Sequence, residues 1–175
     1  MTSEFEDEAK IVAYHEAGHA IMAIACGFKI TALSIDASDV GKGFVAYQIP
    51  QPIDAITAKK AALVSAAGLA ADIHLAGKSG KPRPNGEFRG HFNDQEVAAD
   101  YIRQSGGDGN FDGYLLFAGS FLKDNWRFVE SVAEVLFHLK PFRSDALDIS
   151  QFPTLPDNWP TILDQAILIE KTVRE

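Results

Sequence analysis

A chain of 175 residues, 46% hydrophobic and 23% charged, carries enough apolar material for one globular domain with a buried core. Its net charge of −8 argues against nucleic acid or an anionic membrane surface as the main partner, since both favour clustered Lys and Arg. A single cysteine excludes an internal disulfide, and the longest apolar runs, Ala20 to Cys26 and Ala61 to Ala71, are too short for a bilayer.

The acidic start from Met1 to Glu8 lacks the basic and then apolar character of a secretory signal, so a cytoplasmic location and no membrane partner are expected. From about Glu6 to Cys26 the pattern is helical, with acidic residues at the positive end of the dipole and Gly27 placed to stop it. The second half of this helix is apolar on every side, which predicts a path through the core. Ile30, Ala32 to Ile35 and Phe44 to Ile49 are rich in β-branched and aromatic residues. With Asp39 to Gly43 as a hairpin turn, they predict a small antiparallel sheet.

An Ala-rich helix is expected from about Ala55 to a stop at Gly77, followed by a loop from Lys78 to Phe92. Asn93 or its neighbour then caps a helix through about Gln104, and Gly106-Gly107-Asp108-Gly109 breaks the chain. Further helices are predicted over about 113–122 and 124–140. Trp126, Phe128, Val132, Val135 and Leu136 fall at helical spacing, as core residues do. A Pro-rich connector then leads to an amphipathic helix near Trp159 to Arg174. The fold class expected is α+β and mostly helical.

The segment His15-Glu16-Ala17-Gly18-His19 carries the chemistry. Two histidines four residues apart project from one helical face, where both imidazoles reach the same metal ion, and Glu16 lies beside them as a general base. This HExxH pattern predicts a zinc-dependent hydrolase, most naturally a peptidase. A catalytic zinc needs a third protein ligand, and a third histidine six residues past the second is absent because that position is Ala25. A carboxylate from a later helix is the natural substitute, with His74 and His91 as further candidates.

Other motifs have plainer readings. Asp108 to Gly113 matches the first half of a calcium loop, but the twelfth position is Gly119 rather than a bidentate carboxylate, which favours a Gly-rich turn. Cys26 reads as a core thiol.

Ala13-Tyr14-His15-Glu16-Ala17-Gly18-His19-Ala20 resembles the active-site helix of the FtsH-type zinc metallopeptidase domain. Three later stretches are similar to that family in order. Gly43 to Pro50 is similar to its Gly-Tyr-Thr strand ending in Leu-Pro, Ala67 to Asp72 to its Gly-Gly-Arg-Ala-Ala-Glu segment, and Asn93-Asp94 to its Ser-Asn-Asp segment.

The resemblance spans about residues 9–140 of a single metallopeptidase-like domain, with 141–175 as a C-terminal extension. It implies a zincin-like active-site helix on the FtsH-type plan, one Zn2+ per chain held by His15, His19 and Asp94, and cleavage by a zinc-activated water with Glu16 as base. It also implies that Phe44, Val45, Ala46 and Tyr47 form a strand that binds an extended peptide or unfolded protein. Asp72 is placed to orient a ligand imidazole, as carboxylates beside metal-bound histidines do.

The chain departs from the family in having no AAA+ ATPase domain and in carrying Leu69 where the family has arginine. Hydrolysis is therefore expected to be ATP-independent or served by a separate ATPase partner, and a homo-oligomer is compatible. The alternative is a catalytically silent zinc-binding interaction or regulatory module with the same fold. A zinc hydrolase of other substrates would use the same ligands.

Overall fold

The structure, a computed structural model, describes residues 4–36, 42–79, 91–107, 110–138, 155–161 and 163–164. It is mostly helical, with one two-stranded antiparallel sheet.

Helix α1 (Glu4–Ala25) is the centre of the molecule, and from Val12 to Ala23 every residue on it is buried. It stops where the sequence predicts. Gly27 takes φ +79°, its N–H donates to the Ile24 carbonyl, and Phe28 N–H donates to the Ala23 carbonyl. These paired bonds satisfy the last carbonyls of the helix, and the left-handed turn they require suits glycine.

Strands β1 (Lys29–Asp36) and β2 (Lys42–Gln48) pair antiparallel, with an irregularity between Ile30 and Ala32. Ile30, Leu33 and Ile35 turn into the core against α1. Lys42 and Gly43, expected in the turn, belong to the strand because they pair with Asp36 and Ile35. The remainder of that turn, 37–41, lies outside the described residues.

Helix α2 (Ala55–Ser79) begins where Asp54 accepts a hydrogen bond from Thr57 N–H at 2.7 Å. It continues through Gly77, where the sequence predicts a stop. Gly77 has no positive φ, and the added turn carries Lys78 to Glu130 at 3.1 Å and over the Trp126 ring. That anchor helps to offset the helix penalty of one glycine, about 1 kcal/mol.

Helix α1 crosses α2 at very close range. A Cβ at Gly18 would stand 2.7 Å from both the Ala67 carbonyl oxygen and the Ala71 Cβ. Small residues on both helices therefore set their separation, and this fixes the distance from α1's histidines to α2.

Helix α3 (His91–Gln104) already includes Asn93, which with its neighbour the sequence offers as a cap. Asp94, Ala98 and Ile102 follow one another at four-residue spacing, and Ala98 and Ile102 are buried. The face that anchors α3 thus carries Asp94 inward. Helices α4 (Phe111–Asp124) and α5 (Trp126–His138) are separated only by Asn125. Asn110 caps α4 by accepting from Asp112 N–H, so this part of the 108–113 segment is a helix start. Asp108 and Gly109 lie outside the described residues.

The predicted core positions Trp126, Phe128, Val132 and Leu136 are buried on α5, and Val135 packs partly buried beside them. Of the extension, Trp159 and Leu163 are buried, and Trp159 meets the rings of Phe121 and Phe128 edge-on. Cys26 is buried, and burial pushes its thiol up to about 12, as suits a core residue.

Candidate metal centre

Three ligand atoms from two helices converge on one point. His15 Nε2 and His19 Nε2 are 3.1 Å apart, and Asp94 Oδ2 lies 3.3 Å from each. Within the described residues these three are the one group of His, Cys, Asp or Glu side chains close enough together to hold a metal ion.

The opposite ring nitrogens decide what faces that point. His15 Nδ1 lies 2.9 Å from Asp72 Oδ2, and His19 Nδ1 lies 2.7 Å from the Val64 carbonyl oxygen. Both partners are acceptors, so both Nδ1 atoms carry the proton, and in a neutral imidazole Nε2 is then a bare lone pair. Two lone pairs and a carboxylate oxygen facing one another at 3.1–3.3 Å repel unless a cation lies among them. Asp94 Oδ2 is buried and has no hydrogen-bond donor.

These spacings fit zinc. Ligands about 2.0–2.1 Å from a tetrahedral ion stand about 3.3 Å from one another. The donor set of two neutral imidazoles and one carboxylate is also among those zinc uses with an open fourth position. A proton on one of these groups also relieves the repulsion. Burial opposes a charge on His15, but the Asp72 and Asp94 carboxylates beside its two ring nitrogens outweigh it and raise its pKa well above the usual imidazole value. Burial likewise opposes the charge on Asp94, yet the two imidazoles hold its carboxyl well below the usual range.

Helix α2 supplies the floor of the site. Val64, Gly68 and Asp72 stand four residues apart on one face, so an acceptor, a gap and a second acceptor face α1 in turn. A Cβ on Gly68 would lie 2.4 Å from His19 Nε2 and 2.6 Å from His15 Nε2. The role of Gly68 and of the Val64 carbonyl was not assigned from sequence. The available signal was one glycine in an Ala-rich buried helix, four residues before a buried aspartate.

Glu16 is buried beside the ligands. Burial raises its pKa, and the charges of the two imidazoles pull in the opposite direction. Its cover is β2: a Cβ on Gly43 would come within 2.8 Å of three atoms of the Glu16 side chain. From there Phe44 turns outward, 55% exposed, while Val45 and Tyr47 lean on the core and Tyr47 stacks on Phe28. Ala46 pairs with Ala32. Strand β2 thus starts against Glu16 with β1 as its one neighbour among the described residues.

The remaining histidine candidates do not join the group. His74 packs on the Trp126 ring at 4.3 Å, and its pKa is lowered by burial and by Lys78. His91 opens α3, and its side chain lies outside the described residues.

No protein-family model, curated protein or solved structure matches the chain. No helix among the described residues is long and apolar enough to cross a membrane.

Proposed function

We propose that this protein is a zinc-dependent metallopeptidase built on the FtsH-type peptidase plan, acting on peptides or unfolded protein segments in the cytoplasm. The observation that carries the reading is the convergence of His15 Nε2, His19 Nε2 and Asp94 Oδ2 on one point, with both imidazoles fixed from behind. One zinc ion per chain fits that point. When bound, zinc lowers the pKa of a coordinated water to about 7 and polarises a carbonyl oxygen.

The chain's own residues do the rest. Glu16 accepts a proton from the attacking water and returns it to the amine nitrogen as the peptide C–N bond breaks. Burial raises its basicity, against the opposite pull of the two imidazoles. Asp72 and the Val64 carbonyl hold the two rings in the tautomer that leaves Nε2 free to bind metal. Strand β2, beginning against Glu16, offers its outer edge to an extended substrate, which gives main-chain affinity with little sequence preference. An unfoldase acting in trans is the partner such a site would need for folded substrates.

Two variants test this reading. Glu16→Gln is expected to keep one zinc per chain and lose about 10²- to 10⁴-fold in peptide cleavage. Asp94→Ala is expected to lose the zinc itself. Metal analysis of the purified proteins and digestion of a peptide library with and without chelator measure both. Full activity in Glu16→Gln, or cleavage indifferent to chelator, would rule the mechanism out. Zinc bound at full occupancy with no cleavage by the wild-type chain would favour a silent binding module.

A further inference from the structure

Helix α4 leaves one large apolar side chain outside the described core. Ala118 and Leu122 are buried, yet on the opposite face Leu116 is 75% exposed, more than any other large hydrophobic side chain described. Leu116 stands between Gly113 and Gly119 at three-residue spacing, so the three form one ridge along the helix. A Cβ at either glycine would meet nothing within 4 Å, and neither glycine has a positive φ. Each weakens an exposed helix by about 1 kcal/mol relative to alanine, and among the described residues nothing packs into the space it leaves. An apolar knob flanked by two gaps is the shape a closely approaching helix requires.

The charges on this helix say which helix. Asp112 lies in its first turn and Lys123 in its last. We propose that α4 is a homodimer interface, packing antiparallel against α4 of a second copy about a two-fold axis near its midpoint. In that register Leu116 seats over Gly119 of the partner subunit, and Asp112 faces Lys123 of the partner subunit. A parallel pairing would set like charges together, so the face is complementary to itself in one orientation only. The helix is 14 residues, about 21 Å long, which is small for a stable interface and gives a weak, reversible dimer. This inference is independent of the proposed chemistry and is tested without reading activity.

Sedimentation equilibrium on the full chain, from about 1 to about 500 µM, is expected to show a monomer–dimer equilibrium. Leu116→Asp, at an exposed position, and Gly119→Val, where an added Cβ meets nothing within 4 Å, are expected to weaken it by about tenfold or more. Asp112→Lys and Lys123→Asp should each weaken it, and the double reversal should restore it. Both reversals oppose the helix dipole, so restoration reports pairing across the axis rather than helix stability. A monomer at every concentration, or a dimer that survives Leu116→Asp, overturns the proposal. Single reversals without effect overturn the antiparallel register. A lower melting temperature in Leu116→Asp with no change in mass assigns the face to another segment of the same chain and overturns the dimer.

Discussion

Gly68→Ala is expected to abolish tight zinc binding while leaving the helix content of the protein unchanged. The added methyl would sit 2.4–2.6 Å from three ring atoms of His15 and His19, well inside contact distance. The rings have nowhere to retreat. His15 is held from behind by Asp72 and His19 by the Val64 carbonyl, both on the helix that carries the new methyl. Drawing that helix back would press it into α3 and α4, which pack against it on its other sides. Alanine is itself the better helix former by about 1 kcal/mol, so any loss is local to the site. Zinc affinity, measured by competition with a chelating indicator, should fall by about 100-fold, the upper end of the loss seen when the groups that orient metal ligands are disturbed. Unchanged affinity with native circular dichroism would show that the imidazoles do not meet at this point.

Trp159→Ala is expected to destabilise the whole fold without dismantling the His15, His19 and Asp94 cluster. Trp159 is 4% exposed and lies edge-on to Phe121 at 5.4 Å and Phe128 at 5.3 Å, joining the extension to α4 and α5. Leu163 is fully buried in the same cluster, and Asp164 reaches Lys60 at 2.6 Å. Removing a buried indole costs about 3–5 kcal/mol, a large share of the roughly 5–15 kcal/mol that holds a domain folded. For a chain of this size the melting temperature should fall by about 10 °C. The contact lies at the C-terminal end of α1, where Gly27 meets Pro160, about 12 Å along the helix from His19. Zinc stoichiometry below the new melting temperature should therefore stay at one per chain. A melting temperature unchanged within about 2 °C would mean that this part of the extension does not belong to the core.

Much of the secondary structure was legible because its signals are local. The apolar run after His19, the stop at Gly27, the β-branched strands and the helical spacing of Trp126, Phe128, Val132 and Leu136 all act within a few residues. The misreadings fall where distant contacts overrule local preference. Gly77 reads as a stop, yet α2 runs on to carry Lys78 to Glu130 and Trp126. Asn93 reads as a cap, yet α3 already begins at His91 and buries Ala98 and Ile102 on the face that carries Asp94.

The same division runs through the site. Sequence by itself determined that His15 and His19 share one helical face with Glu16 beside them, because the helix period alone puts residues four apart together. It could not determine that Asp94, seventy-five positions beyond His19, closes the group, since nothing local links them except a resemblance. Nor could it say that Gly68 leaves the space for both rings or that Val64 and Asp72 aim them. Those were decided by the tertiary structure. The distance at which α1 crosses α2 is set by side-chain volume at Gly18, Ala67 and Ala71, and only when that distance is fixed do an acceptor, a gap and an acceptor on one helix meet two imidazoles on another.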